Sequence, residues 1–367
     1  MRILYVISDS NIGGAGILLC NILRHIDRDR FFCAVAMPYG SALRARVLTL
    51  GVRVIELEHS VDRFSWRSVR ELCDTVRDFD ADVVHTNAAI CARVAGKLCG
   101  RRVVHTRHCY YPIKRESDPI VEAVRRLGNR MLSDRAIATA SSAAINLEQL
   151  GIPKSRIRVI INGAEPVREV EAWEMAEWRA RLDLCEEDFC IGICARLEPC
   201  KGHETFLRAA AILCSKMPEK SFRFLIVGEG SRRAELERMG EQLGISQLLR
   251  FTGFVSDVAP LYRLFRINVN CSCGTETSCL AISEGMSAAL PTVASDYGGN
   301  AAMLGDGESG ICFPVGDAKA LAEALQRIAC DVDLEATMSI AARKRYLERF
   351  TPERMTNRLE RVYAALQ

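Results

Sequence analysis

Short apolar runs alternate along this chain with longer stretches whose apolar residues recur every three or four positions. Residues 3–7, 32–37, 52–57, 82–87, 103–107, 136–140 and 157–161 read as strands. Between them, residues 17–23, 42–50, 65–79 and 120–132 carry helical periodicity; Val69, Leu72, Cys73 and Val76, for example, share one face of the third. A Glu- and Arg-rich segment with Trp173 and Trp178 then interrupts the rhythm, and it resumes with apolar runs at 189–194, 222–227, 267–271, 290–295 and 310–315. Helices are expected at 281–289, 320–328 and 352–366. Regular strand–helix alternation predicts α/β architecture with parallel, doubly wound sheets. The interruption predicts two of them: residues 1–166, a linker at 167–187, and 188–350, followed by a closing helix at 351–367.

The chemistry concentrates where strands hand over to helices, which is where such sheets bind ligands. After the 267–271 strand comes Gly274-Thr275-Glu276-Thr277-Ser278-Cys279-Leu280-Ala281-Ile282-Ser283-Glu284. Glu276 is expected in the loop and Glu284 one to two turns into the helix. Free N–H groups of that first turn favour an anion such as phosphate. The 189–194 strand exits into Arg196-Leu197-Glu198-Pro199-Cys200-Lys201-Gly202. Two cations at one strand exit suit a pyrophosphate, Arg as a planar fork and Lys as a point charge. Gly13, Gly14 and Gly16 follow the first strand and let a phosphate-bearing ligand approach the backbone. They lack the Gly-x-Gly-x-x-Gly spacing of a nicotinamide site, which counts against an oxidoreductase. His108 lies just past the carboxyl end of its strand, and alternation turns His105 the other way. Arg107 either grips an anionic acceptor or caps its loop. Asp78, Asp80 and Asp82 imitate an Asp-x-Asp metal motif but precede a strand, so they read as a solvated turn.

Glu276, Glu284, Leu290-Pro291 and Gly298-Gly299 together resemble the signature of the family 4 retaining glycosyltransferases, which have the GT-B fold. Arg196 with Lys201-Gly202 resembles that family's Arg, four residues, Lys-Gly motif. The Gly13-Gly14 loop, the Asn162-Gly163 turn and the 251–257 segment also have counterparts, so the resemblance covers nearly the whole chain. It implies two Rossmann-like domains facing each other across a cleft, with the closing helix returning to the first. It implies a nucleotide-diphosphate sugar as donor, UDP- or GDP-linked, a saccharide or lipid-linked saccharide as acceptor, and retention of anomeric configuration. Arg196 and Lys201 would neutralise the diphosphate in place of a metal, Glu276 would hold hydroxyls of the transferred sugar, and His108 would approach that sugar. Gly13, Gly14, Gly228, Phe254, Val255, Thr277, Ser278, Cys279, Leu280 and Glu284 complete the implied donor set, Glu284 on the ribose. Asn87 and Arg107 fall on the acceptor side. Neither metal nor cofactor is expected. The chain departs from the family in Thr277-Ser278, where Gly-Phe is usual, in Ala302, where Glu is usual, and in Gly16, where Glu is common. These departures leave a catalytically degenerate nucleotide-sugar sensor or scaffold as the alternative.

Composition narrows the setting. The 367 residues suffice for two cores. Sixteen cysteines are scattered singly through apolar runs without a Cys-x-x-Cys pair, which fits free buried thiols in a reducing compartment better than zinc or disulfides. Residues 1–166 hold 25 Lys and Arg against 17 Asp and Glu, and the rest hold 24 against 29, so the first half is expected to meet something anionic. The 120–132 helix, with Arg125, Arg126 and Arg130 and with Lys114 and Arg115 nearby, either lies on anionic lipid or is an ordinary surface helix. No apolar run approaches the ~20 residues of a membrane span. A cytoplasmic protein, with membrane-peripheral contact as an option and a role in cell-surface polysaccharide or glycolipid synthesis, is the expectation; nucleic acid is not an expected partner.

Overall fold

The computed structural model describes residues 1–8, 13–61, 63–87, 89–109, 118–274, 276–305 and 307–367. The expectations for Lys114, Arg115 and Thr275, and for residues 9–12 of the glycine loop, lie outside these. The chain divides into two compact units, Met1–Ala164 with Thr351–Gln367, and Glu165–Phe350.

Unit 1 runs β1 (Arg2–Val6), α1 (Gly14–His25), β2 (Phe32–Pro38), α2 (Leu43–Thr49), β3 (Arg53–Leu57), α3 (Trp66–Asp78), β4 (Val83–Thr86), α4 (Ile90–Leu98), β5 (Arg102–Arg107), α5 (Pro119–Met131), β6 (Arg135–Ala138), α6 (Ser141–Gln149) and β7 (Ile157–Val159). Its strands form one parallel sheet in the order β3-β2-β1-β4-β5-β6-β7. Central strands are apolar on both faces because helices cover both: Leu4 and Val6 pack towards α3 and α4, Ile3 and Tyr5 towards α1. Ser65 caps α3 through Arg67 N, and Val69, Leu72, Cys73 and Val76 are buried, so the 3.6-residue pattern located that helix and its inner face. α1 starts three residues before its apolar run, at Gly14. Ile17 N bonds back to Gly13 O, and Gly16 gives α2 a close approach, its absent Cβ falling 3.2 Å from a Leu43 methyl. Asp80 and Asp82 form a turn, Asp80 with φ near +50° and Asp82 accepting from Arg2 N.

Unit 2 runs α7 (Ala172–Arg181), β8 (Phe189–Cys194), α8 (His203–Lys216), β9 (Phe222–Val227), α9 (Arg233–Gln242), β10 (Leu249–Gly253), α10 (Ala259–Leu264), β11 (Ile267–Asn270), α11 (Leu280–Ser287), β12 (Thr292–Ser295), α12 (Asn300–Leu304), β13 (Gly310–Phe313), α13 (Ala318–Cys330) and α14 (Val332–Arg349). Its six strands are parallel, in the order β10-β9-β8-β11-β12-β13. The last helix, α15 (Pro352–Ala364), belongs to unit 1. Met355, Leu359, Val362 and Tyr363 join the core beneath α1, and the Tyr363 hydroxyl meets His85 Nδ1 and Tyr5 Oη. The expected fold class is found: two α/β, Rossmann-like parallel sheets.

Strand order fixes where ligands can bind. Each sheet reverses its winding once, between β1 and β4 in unit 1 and between β8 and β11 in unit 2. Helices leave in opposite directions there, and a crevice opens at the strands' carboxyl ends.

Candidate active site

In unit 2 the crevice is flanked by the loop after β8, with Arg196 and Lys201, and the loop after β11, with Glu276. Lys201 Nζ donates to Glu276 Oε2 at 2.7 Å. Ser272 Oγ donates to the same oxygen at 3.1 Å, and Thr277 N reaches Oε1 at 3.3 Å. Burial works against the Lys201 ammonium, but attraction to Glu276 outweighs it and its pKa ends above the usual lysine value. Two glycines allow the loops to close this far. At Gly202, with φ of +66°, a Cβ would lie 2.2 Å from Cys271 O; at Gly298, with φ of +65°, it would lie 2.2 Å from Glu276 O. Cys273 N also donates to Cys200 O at 2.9 Å, a direct backbone tie between the two loops.

Beneath Glu276 lies a buried polar network. Asn270 Oδ1 accepts from Ser272 N and from Asn300 Nδ2, and Ser295 Oγ donates to Ser272 O at 2.6 Å. Asn270 Nδ2 points at the Cys279 sulfur, 3.0 Å away, and burial pushes that thiol up to about 12, so it stays protonated and neutral. Cys279 is the N-cap of α11; its sulfur lies by the backbone N–H groups of Ala281 and Ile282, and the positive end of the helix favours an anion beside it. Glu284 sits in the second turn, enclosed, with Tyr262 Oη donating to its Oε2 at 2.9 Å. Burial raises the Glu284 pKa and the Tyr262 hydrogen bond partly opposes the rise. Arg196 is exposed on the β8 loop and, among the described residues, has no ion-pair partner. Gly228, at the end of β9, packs so tightly on Ala195 that a Cβ would fall 2.1 Å from its carbonyl oxygen. Phe254 is exposed, whereas Val255 packs against the cluster containing Leu261, Tyr262 and Phe265, leaving its backbone for contact.

In unit 1 the crevice holds a small cavity of about 30 Å³, where Asn87, Thr106, His108, Thr139 and Asn162 meet an apolar wall that includes Leu18, Leu19, Ile137 and Leu359. Gly13 is the N-cap of α1 and Gly14 its first residue, with open space beside it. Burial drives the His108 pKa down to about 4, so the ring is neutral near pH 7. His105 lies on the other side of β5, where Ser133 Oγ bonds its Nδ1. Arg107 Nε donates to Asn146 Oδ1 at 3.1 Å, which braces it against α6. Among the described residues no group of three or more His, Cys, Asp or Glu could hold a metal ion.

Residues 12–168 match the model of Glycosyltransferase Family 4, and residues 188–331 match that of Glycosyl transferases group 1. The chain belongs to the family 4 glycosyltransferases. It is 28% identical over 305 residues to the D-inositol 3-phosphate glycosyltransferase of Corynebacterium urealyticum, a match covering 78% of this chain and 72% of that one. It is 25% identical over 321 residues to EpsD of Bacillus subtilis, provisionally assigned as a glycosyltransferase, over 82% of this chain and 80% of that one. Its fold is also that of Anabaena Alr3699/HepE, solved with UDP, at a TM-score of 0.85 and 20% identity over the full length of both chains.

This family 4 glycosyltransferase therefore brings Lys201, Glu276 and Thr277 together in unit 2, places Glu284 and Leu280 on the adjoining helix, and leaves Arg196 on its own. Four neighbouring residues escaped the sequence reading: Tyr262, which holds Glu284, and Asn270, Ser272 and Asn300, which hold the Glu276 loop. Asn270 and Ser272 left a signal, polar side chains continuing an otherwise apolar strand. Tyr262 left none, because its contact spans 22 residues and an intervening strand.

Proposed function

We propose that this glycosyltransferase moves a hexosyl group from a nucleotide-diphosphate sugar, UDP-linked in the first instance, to a saccharide acceptor with retention of configuration. The observation carrying this reading is the Lys201–Glu276 pair, held at 2.7 Å at the switch point beside the start of α11. A cation and a carboxylate side by side match the two ends of a sugar diphosphate. Lys201 and Arg196 face the diphosphate, and their attraction grows as charge develops on the leaving group, which is what lowers a barrier. The Thr277–Leu280 backbone runs beside the Lys201–Glu276 pair, and Leu280 N at the start of α11 adds a neutral donor. Glu276 takes hydroxyls of the transferred sugar and Glu284, aimed by Tyr262, takes those of the ribose. Gly228, Phe254 and Val255 line the nucleobase side. Cations and N–H groups do the work that a metal would otherwise do. HepE binds UDP and, in a further structure, UDP-glucose, which is the reason for placing uracil first.

In unit 1 the amides, hydroxyls and neutral His108 ring of the crevice, set against an apolar wall that includes Leu18 and Leu359, offer polar contacts to a hydroxyl-bearing ligand. We assign this crevice, with Asn87, Gly13 and Gly14, to sugar recognition, and give Arg107 an anionic acceptor group. An acceptor for cell-surface polysaccharide or glycolipid assembly fits the basic character of this unit, and WaaG, of the same fold at a TM-score of 0.72 and 14% identity over 98% of both chains, is a glycosyltransferase involved in lipopolysaccharide biosynthesis.

A thermal-shift screen across UDP-, GDP- and ADP-sugars tests the donor assignment, with stabilisation expected for at least one UDP-sugar. Proton NMR of the first product tests retention. Stabilisation without turnover or hydrolysis would favour the sensor reading that Thr277-Ser278 and Ala302 leave open. No stabilisation by any of these compounds would sink the donor assignment altogether.

A further inference from the structure

The two loops that flank the unit 2 crevice each carry a cysteine at the point where they touch. Cys200 stands directly before Lys201 on the β8 loop, and Cys273 stands three residues before Glu276 on the β11 loop. Cys273 N donates to Cys200 O at 2.9 Å. Residues joined in this way have Cα atoms roughly 5–6 Å apart, inside the span that a disulfide bridges. Their side chains converge as well. A Cβ on Gly274 would lie 3.4 Å from Cys200 Cβ, so the Cys200 side chain leans on the backbone just past Cys273. Cys273 Sγ turns back along the β8 loop and donates to Pro199 O at 3.3 Å, one residue from Cys200. Burial raises the Cys273 thiol above its usual value, the nearby Cys200 sulfur and Glu204 add to the rise, and Lys201 opposes it. The two sulfurs are thus within electrostatic reach of each other, and Cys273 rests as a thiol.

Access separates this pair from its neighbours. Cys273 is exposed and Cys200 half-buried, so an oxidant in solution reaches them. Cys271, two residues earlier, turns into the core of unit 2, and Cys279 is buried beneath Glu276. In unit 1, Cys99 Sγ meets Cys73 O at 3.7 Å, but Cys73 is buried and the contact lies where α4 turns into β5, at the amino end of the sheet.

We propose that Cys200 and Cys273 form a thiol pair that a peroxide oxidises to a disulfide, crosslinking the β8 and β11 loops and weakening donor binding. The Cys273 sulfur attacks one peroxide oxygen, the O–O bond breaks, and the departing hydroxide leaves as water with the thiol proton; the product is a sulfenic acid. The Cys200 sulfur then attacks that sulfur. The S–S bond forms, the S–O bond breaks, and a second water leaves with the Cys200 proton. Two thiols are oxidised, one peroxide is reduced to two waters, and a dithiol reductant reverses the change. The consequence for binding rests on the donor reading above. Lys201 and Glu276 satisfy each other at 2.7 Å. A sugar diphosphate entering between them lengthens that contact, and the loops carrying both residues give way. A single N–H···O bond yields to such movement, whereas an S–S bond across the same point does not.

Peptide mapping by mass spectrometry tests the site without any nucleotide. After brief treatment of the full chain with hydrogen peroxide and blocking of free thiols, a Cys200–Cys273 crosslinked peptide should appear and should vanish on reduction with dithiothreitol. Cys273→Ser should abolish it at an unchanged melting temperature, because the position is exposed. Calorimetry with UDP then reads the consequence. The Kd should rise severalfold on oxidation and recover with dithiothreitol, while Cys273→Ser should bind equally with and without peroxide. Absence of the crosslink would overturn the proposal, as would a crosslinked chain that binds UDP as tightly as the reduced one. A rise in Kd that is the same in Cys273→Ser would assign the effect to other residues and overturn it too. Reduced protein that binds no UDP would defeat the donor reading, and with it the consequence, but not the crosslink, which the mapping decides by itself.

Discussion

Lys201 and Arg196 are both cations of the β8 loop, yet their surroundings make them respond differently to removal. Lys201 neutralises a largely buried Glu276, so Lys201→Ala leaves a carboxylate with only Ser272 Oγ and Thr277 N. Stranding a buried charge is costly, so this variant should melt earlier and also lose roughly 10²–10³ in kcat. Arg196 is exposed and has no ion-pair partner among the described residues, so Arg196→Ala should lose activity at an unchanged melting temperature. Steady-state rates beside thermal melts separate the two, and near-wild-type turnover of both would remove the diphosphate role. Glu284 carries a pH signature. Burial raises its pKa, so nucleotide affinity should weaken as pH falls and the carboxylate that accepts ribose hydroxyls takes up a proton. Tyr262→Phe removes the hydrogen bond that opposes this rise; the weakening should then begin at a higher pH. Calorimetry with UDP from pH 8 down to about pH 5 reads it. Identical curves for the variant and wild type would mean that Tyr262 does not aim Glu284.

At the scale of elements, the signature glycines act as spacers. Gly202 and Gly298 sit where a methyl group would meet a backbone carbonyl at 2.2 Å, which no rotamer change can relieve. Gly298→Ala should therefore push the β12–α12 turn off the Glu276 loop and open the Lys201–Glu276 contact. The melting temperature should fall by several degrees, as expected for roughly 1–3 kcal/mol of overpacking and strain, with kcat falling alongside. A variant that melts and turns over like wild type would show that the turn is not clamped. Such local rules explain what was legible in the chain. Strand-to-helix handovers, the Arg196–Gly202 and Glu276–Glu284 spacings and the inner face of α3 follow from period and turn chemistry. Distant partners do not. Nothing near Tyr262 announces Glu284, and the Tyr5–Tyr363–His85 contacts join residues from opposite ends of the chain. Periodicity also located the two faces of α5 without saying which one looks outward, because the spacing of apolar residues is the same whatever the helix leans on.

Across the whole molecule, buried histidines set how acid should dismantle it. Burial lowers the pKa of His85 to about 3, of His108 to about 4 and of His105 well below 6.5, all in unit 1. In unit 2 the one such residue among those described is His203, at about 4. Each ring takes up a proton near pH 6.5 when unfolded but stays neutral in the fold. Below pH 6.5 the unfolded chain therefore binds more protons and the fold loses up to about 1.4 kcal/mol per pH unit for each ring. Glu284 has the opposite sign: with its folded pKa raised, the native state takes up the proton first and unit 2 gains stability as pH falls. Three destabilising rings against one ring with a compensating carboxyl predict that unit 1 opens first between about pH 6.5 and pH 4. Hydrogen–deuterium exchange resolved by peptide, at pH 7 and near pH 5 with rates corrected for intrinsic exchange, should show protection falling more steeply in β1, β4, β5 and α15 than in β8, β9 and β11. His85→Gln, which removes one titrating ring while keeping polar atoms for Tyr363 and Thr106, should narrow the difference. Equal loss in both units, or earlier loss in unit 2, would show that groups other than these histidines govern the acid response.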